Sequence, residues 1–326
     1  MDKFVVVADD LTGGNGTGVL LVKDGLKVFS AVNYKTVGHI DLNSCNGVVV
    51  NTCSRGIPAE EAFSRVFEVT ATMREQGVTC FCKRIDSTIR GNLGIEIEAA
   101  LTALGDEYVA MVVPVWPQTG RINVGGYLLV NGMPVQQTDA GVDAKTPVRS
   151  SSVAEVIAAQ TTLPIGLIPL NKVLAGQKTL IYRIKTEAAN GKRIIIFDAV
   201  SDGDIANIAE AVKETGLKIV AVDPGPFSEA IILSSLGKAK AEHKGKVMVV
   251  SGSATALTRA QLDYLQQEYK ARLVNVDVKD LLDGSLSEEQ ENKLARQVHD
   301  ISKTANIFGL RVAAEKQMVI DLASVA

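Results

Sequence analysis

Short apolar runs punctuate the chain, and most are continuous rather than alternating: Phe4–Val7, Val48–Asn51, Thr79–Lys83, Val109–Val113, Ile194–Asp198, Ile219–Val222, Val247–Ser251 and Leu273–Val276. Unbroken β-branched runs of this length predict strands covered on both faces. Segments of helical period lie between them. Pro58–Glu75 opens on a proline in its first turn and places Ala62, Phe63, Val66, Phe67 and Thr70 on one face. Asn92–Leu104 does the same with Leu93, Ile97, Ala100, Leu101 and Leu104, and Ile205–Glu214 and Thr258–Tyr269 complete the set. Strands alternating with helices predict an α/β fold whose sheets are mainly parallel and flanked by helices.

Two features interrupt the alternation. Gly125 to Val135 reads as two short strands about the Asn131-Gly132 turn, a β-hairpin inserted into the first half of the chain. Such a hairpin suits a lid or an oligomer contact, which leaves room for a homodimer. A domain boundary is predicted between Asp223-Pro224-Gly225-Pro226 and the polar run Lys238–Lys246. A fresh strand follows and ends in Ser251-Gly252-Ser253, repeating the way the first strand ends.

Composition narrows the class. A chain of 326 residues suffices for two domains, each with a mainly parallel sheet. The net charge of −3 supplies no basic field for nucleic acid, and no Lys/Arg stripe is interleaved with aromatics. No apolar run approaches the ~20 residues of a membrane span. The first strand begins almost at once, so no signal peptide is expected and the expected location is the cytoplasm. Cys45, Cys53, Cys80 and Cys82 lack a redox or zinc spacing and are expected to be buried hydrophobes, with Cys80 and Cys82 facing one way and Phe81 the other.

Chemistry gathers at strand ends. Phe4–Val7 is stopped by Asp9-Asp10, followed by Gly13-Gly14-Asn15-Gly16-Thr17-Gly18, which is expected to form a tight turn near a ligand. Adjacent carboxylates there can hold Mg²⁺, accept hydrogen bonds from sugar hydroxyls, take a proton from one, or simply cap a helix. Arg55 follows the Val48–Asn51 strand. Lys83, Arg84, Ile85, Asp86, Ser87, Thr88, Ile89, Arg90, Gly91 and Asn92 follow the next. Ligands of open parallel sheets bind outside the carboxyl ends of strands, so these segments should converge. Arg and Lys beside Asp describe a ligand both anionic and hydroxylated. A P-loop and a G-x-G-x-x-G fingerprint both fail at Val19.

The run from Val6 to Gly13 resembles the N-terminal signature of the four-carbon acid sugar kinases. So do Lys83–Asn92, Thr119-Gly120-Arg121, Gly126 to Gly132, and Ser251-Gly252-Ser253 with Thr258, Arg259 and Gln261. The resemblance covers nearly the whole chain. It implies an ATP-dependent kinase phosphorylating the terminal hydroxyl of an acid such as D-threonate, D-erythronate or 3-oxo-tetronate, with Mg²⁺ accompanying ATP. It implies a sugar-acid-binding domain over residues 1–230 and a nucleotide-binding domain over 245–326. Substrate contacts would fall on Asp10, Arg55, Lys83, Arg84, Ile85, Asp86 and Arg90. Arg55 and Lys83, with Arg84, would hold the carboxylate; Asp10 and Asp86 would hold hydroxyls, one serving as base. Ser251, Gly252 and Ser253 would meet the nucleotide. Two departures stand out: Gly16 replaces the family's usual Asp, and the late Gly-rich nucleotide loops are not found before Ala326. The nucleotide domain is therefore expected to lack its C-terminal end. The rival expectation is a sugar-acid-binding protein with impaired or no kinase activity.

Overall fold

The computed structural model describes residues 3–238, 246–252, 255–276 and 287–312. The chain divides into two compact units, Met1–Glu242 and His243–Ala326. In the first, an eight-stranded parallel sheet takes the order β2-β3-β1-β4-β11-β5-β10-β9. Its strands are β1 (Phe4–Ala8), β2 (Val28–Ala31), β3 (Gly47–Asn51), β4 (Cys80–Arg84), β5 (Tyr108–Val112), β9 (Ile165–Ile168), β10 (Ile194–Phe197) and β11 (Lys218–Asp223). Between β5 and β9 the chain builds a small antiparallel sheet, β6 (Arg121–Val124), β7 (Tyr127–Val130) and β8 (Met133–Pro134). The expected two-strand hairpin is thus three strands. Asn131 and Gly132 turn β7 into β8 at φ 51° and 81°, where Asn-Gly is favoured.

Residues β1, β3 and β4 are buried along their whole length because each face of the sheet carries helices. Alternate side chains divide two cores. Val5, Val7, Val48, Val50 and Phe81 pack with α2 (Ala59–Glu75), α3 (Leu93–Leu104) and α4 (Val153–Ala158). Phe4, Val6, Cys80 and Cys82 pack on the other face with α1 (Leu11–Lys23), α6 (Gln177–Ala189), α7 (Asp202–Thr215) and α8 (Pro226–Ser235). A short α5 (Leu170–Val173) precedes α6. Not every thiol is in these cores: Cys45 is half-buried and Cys53 is exposed on the segment after β3.

The glycines after Asp10 correct the expectation of a turn: they lie inside α1, with Asp10 as its N-cap accepting from Gly13 N at 2.9 Å. Close approach explains them. A Cβ at Gly14 would sit 2.9 Å from Ala8 Cβ, and one at Gly13 would sit 1.8 Å from Arg84 Cζ. The glycines let the helix lie against the end of β1 and clear a slot for a guanidinium. Gly16 meets no atom that a Cβ would approach within 4 Å.

Topology places the site. From β1 the chain builds β2 and β3 to one side, then crosses over to lay β4 on the other. The crevice at the carboxyl ends of β1, β3 and β4 is where the strand order reverses, the usual ligand position in such sheets.

The second unit is a parallel three-stranded sheet, β12 (Val247–Ser251), β14 (Ile307–Arg311) and β13 (Arg272–Asn275) in that order, with α9 (Ala256–Tyr269) and α10 (Glu288–Thr304). Among the described residues no helix is long and apolar enough to cross a membrane.

Candidate active site

Three arginines and three aspartates meet at that crevice. The β1–β3 pairing runs past the strand ends, Ser54 N and Arg55 N both donating to Asp9 O, so Arg55 is delivered beside Asp9. Arg55 Nε donates to Asp9 Oδ2 at 2.6 Å and Nη2 to Asp9 Oδ1 at 3.1 Å, a bidentate fork. Its Nη2 also lies 2.9 Å from Asp10 Oδ1 and 3.6 Å from Asp86 Oδ1. Arg84 reaches across the Gly13 slot to donate to Asp10 Oδ1 at 3.0 Å and Asp9 Oδ1 at 3.3 Å. Arg90 closes the cluster from β4's side, donating from Nε to Asp86 Oδ2 at 2.7 Å and from Nη2 to Oδ1 at 3.0 Å.

The β4 segment is bent to make this possible. Asp86 caps its own turn by accepting from Thr88 N and Oγ1. Buried Ile89 is held at φ 54° and Gly91 at φ 94°. A β-branched residue in the left-handed region is strained by about 1–3 kcal/mol, and here the strain folds Arg90 back onto Asp86. A Cβ at Gly91 would lie 2.8 Å from Arg55 Cγ, so this glycine clears room for the second arginine.

Electrostatics follow from that pairing. Burial alone would raise the Asp86 carboxyl, but the Arg90 hydrogen bonds, the Arg55 charge and Thr88 hold it down at about 2. Burial pulls the Arg55 guanidinium down while Asp9, Asp86 and Asp10 push it further up, leaving it raised. The three guanidinium charges are matched by Asp9, Asp10 and Asp86, and Asp143 adds a fourth carboxylate on Arg90. Exposure separates the carboxylates: the Asp9 and Asp86 side chains are 4% and 5% exposed, that of Asp10 29%. All Asp10 contacts fall on Oδ1, and Oδ2 accepts no hydrogen bond among the described residues.

Asp10, Arg55, Arg84, Asp86 and Arg90 are thus brought together. Lys83, expected to meet a substrate carboxylate, is instead buried beneath the cluster, with Nζ 2.7 Å from Glu96 Oε2 and donating to Arg84 O. Alternation turns it away: the strand points Lys83 and Arg84 to opposite faces. Burial raises the Glu96 carboxyl, an effect that Lys83 opposes. Arg84 is likewise almost wholly buried, and its charge is committed to Asp9 and Asp10. Ile85 is a core side chain that contributes only its N–H, donated to Asp223 O. In the second unit Ser251 ends β12 and Gly252 follows it, while Ser253 lies outside the described residues.

Sequence reasoning missed Glu96 and Asp143. A lysine inside the apolar β4 run was itself a signal that some carboxylate must be buried with it. Asp143 pairs with Arg90 Nη1 at 3.0 Å from a loop 53 residues distant, which no local pattern announces. Thr146 N, Lys145 N and Arg90 hold its carboxyl well below the usual range.

A family model described as the Sugar-binding N-terminal domain matches residues 4–231, and one described as the Nucleotide-binding C-terminal domain matches 248–323. The chain belongs to the four-carbon acid sugar kinase family. It is 41% identical to a D-erythronate kinase of Heliobacterium modesticaldum over 326 residues, 100% of this chain and 74% of that protein. It is 33% identical to a D-threonate kinase of Salmonella typhimurium, over 88% of this chain and 66% of the relative. The fold is similar to that of a citrate-bound, domain-swapped dimeric protein of unknown function from Bordetella bronchiseptica, at TM-score 0.64 and 26% identity over 99% of this chain and 77% of the other. A Haemophilus influenzae protein matches in fold at TM-score 0.67, over 98% and 76% of the two chains. The match over 248–323 corrects one expectation: a nucleotide-binding domain lacking its C-terminal end is not supported. The stretch Val312–Ala323 on which that expectation leaned lies almost wholly outside the described residues.

Proposed function

We propose that this chain transfers the γ-phosphoryl group of ATP to the terminal hydroxyl of a four-carbon sugar acid, D-erythronate or D-threonate. The observation that carries the reading is Asp10 Oδ2. It is a carboxylate oxygen with no hydrogen-bond partner among the described residues, at the accessible edge of a cluster whose aspartates, Asp10 Oδ1 included, are tied to arginine. The D-erythronate kinase relative, matched along this entire chain, supports the same substrate class. So does the citrate-bound neighbour, because citrate is a hydroxylated polycarboxylate.

Phosphoryl transfer asks a protein mainly for positioning and charge stabilisation. In this reading Asp10 Oδ2 accepts the hydrogen of the attacking hydroxyl and takes its proton as the bond to phosphorus forms. Asp9 and Asp86, locked by their guanidinium partners, keep Arg55 and Arg90 at the rim. Asp86, at about 2, stays ionised and serves as an anchor rather than a base. Nucleotide contacts at Ser251, Gly252 and Ser253 remain part of the proposal, as do domain limits of 1–230 and 245–326 and a homodimer like the Bordetella neighbour's.

Among the described residues no group of three Asp, Glu, His or Cys side chains is placed to hold a metal ion by itself, and the carboxylates of Asp9 and Asp86 face guanidinium nitrogens. Mg²⁺ in such sites is held by one or two carboxylates together with nucleotide phosphates; in this cluster Asp10 Oδ2 is the carboxylate oxygen that would be offered to it, and no step is routed through the ion. A coupled assay for ADP release with D-erythronate and D-threonate tests the proposal. Asp10→Asn keeps the helix cap and should lower kcat by about 100-fold or more with the fold intact; wild-type turnover by that variant would remove Asp10 from the site. Acid binding without ADP release would favour the rival binding-protein reading.

A further inference from the structure

Beside Arg55 lies a cavity of about 470 Å³ that no expectation had assigned. Its floor is fixed by side-chain amides. Asn92 Nδ2 donates to Ser54 O and Ile57 O at 2.8 and 2.9 Å, and Gln160 bridges Gly91 O and Gly94 N at 2.9 and 2.8 Å. Its rim is cationic: Arg55, Lys145 and Arg149 line it against one acid, Glu155, which accepts from Ser150 Oγ.

Lys145 is placed rather than adrift. Asp143 Oδ1 accepts from Lys145 N at 3.0 Å and Thr146 N at 2.8 Å, while its Oδ2 accepts from Arg90. One carboxylate thus ties the lysine's turn to the aspartate–arginine cluster. The Lys145 ammonium then lies on the backbone of Gly56, where a Cβ would come within 2.9 Å of Nζ and 2.6 Å of Cε. Gly56 is the residue after Arg55, so the ammonium and the guanidinium border the same space. Unlike Lys83 and Arg84, neither Lys145 nor Arg149 forms an ion pair among the described residues.

We infer that this cavity takes the carboxylate end of the four-carbon acid, with Lys145 and Arg149 as its cationic contacts and Arg55 joining it to Asp10. The inference rests on the kinase reading above. It explains how a cluster whose guanidinium charges are already taken by carboxylates selects an acid: the anion is met next door, while Asp10 Oδ2 is kept for a hydroxyl. Charge-assisted contacts of this kind are worth about 10- to 100-fold in affinity.

The test is calorimetric titration of the full chain and its Lys145→Met/Arg149→Met variant with D-erythronate, with erythritol, which lacks the carboxylate, and with inorganic phosphate. Both residues are exposed, so the variant should melt like the wild type. The expected result is that D-erythronate binds the wild type, erythritol does not, and the variant loses 10- to 100-fold in affinity. In the ADP assay KM should rise by the same factor with kcat little changed. Erythronate affinity within twofold of wild type in the variant overturns the inference and leaves the kinase reading standing. Binding of phosphate in preference to the acid, abolished by the same substitutions, also overturns it. Acid binding lost in the variant, but with no ADP formed by the wild type, upholds the cavity and overturns the kinase reading.

Discussion

Lys83 is the sharpest place to set structure against expectation, because a substrate contact and a buried counterion fail differently when removed. The Lys83 and Glu96 side chains are 1% and 2% exposed, and their charged atoms lie 2.7 Å apart. Lys83→Met removes the ammonium and strands Glu96, whose Oε1 already has no hydrogen-bond partner. Breaking a buried pair from one side costs about 3–5 kcal/mol. At about 2–4 °C per kcal/mol for a unit of this size, melting should fall by about 6–20 °C. Replacing both partners by apolar groups of similar volume, Lys83→Met with Glu96→Leu, should restore most of that loss. The pH dependence has a fixed sign. Burial raises the Glu96 carboxyl in the folded chain, so folding shifts its balance toward the protonated form relative to the unfolded chain. The stability it contributes is therefore present below its unfolded range and fades as pH rises. The single variant's deficit should accordingly be smallest in acid and grow toward neutrality. Scanning calorimetry across pH, with the ADP assay run on the same samples, makes the comparison. If Lys83→Met melts like the wild type and only raises KM for the acid, the burial argument is refuted.

Other perturbations probe the cluster and its supports. Gly13→Ala should lower both the melting temperature and kcat/KM, the latter by about 10-fold or more, since its Cβ would overlap the almost wholly buried Arg84 guanidinium; alanine's better helix propensity of about 1 kcal/mol gives the opposite sign if no such clash exists. Asp86, held at about 2 against an ordinary 3.8, contributes about 2 kcal/mol above pH 4 that is lost as pH falls through about 2. Asp86→Asn should therefore be less stable than wild type at pH 7 and level with it near pH 2, by urea unfolding at each pH. Asp198 is fully buried and accepts from Asn123 Nδ2 and from the N–H groups of Gly125, Gly126 and Leu170. Asp198→Ala should cost about 3 kcal/mol or more and free the β6–β7 turn to exchange its amides with solvent, read by hydrogen exchange.

The sheet was legible because its strands are covered on both faces and so read as unbroken apolar runs. β2, with Phe29 and Ser30 exposed at the sheet edge, lacks that signature and was missed. β9 and β14 were missed as well, each broken by a glycine, Gly166 and Gly309. Strand-end placement foretold that Asp10, Arg55, Arg84 and Asp86 would converge. It did not foretell which way each side chain points, and strand alternation then sent Lys83 and Arg84 to opposite faces. The glycine run after Asp10 misled because glycine signals turns and close packing alike. Only the neighbour that would occupy its Cβ position distinguishes them, and for Gly13 that neighbour is Arg84, distant in sequence. Lys145 and Arg149 carried no local signal at all, because their placement depends on Asp143 and Gly56.

Those glycines bear on how the site works. Arg84 and Arg55 each occupy volume that an ordinary residue at position 13 or 91 would fill, and each is held there by carboxylates before any ligand arrives. A guanidinium fixed in this way needs little reorganisation when charge develops nearby, which is where electrostatic catalysis draws most of its effect. It is also a poor recruit for a substrate carboxylate, since binding one would strip the partner from a buried aspartate. The same packing that preorganises Asp10 therefore argues that the acid's charge must be met by cations outside the cluster. The exposed pair beside Arg55 meets that requirement.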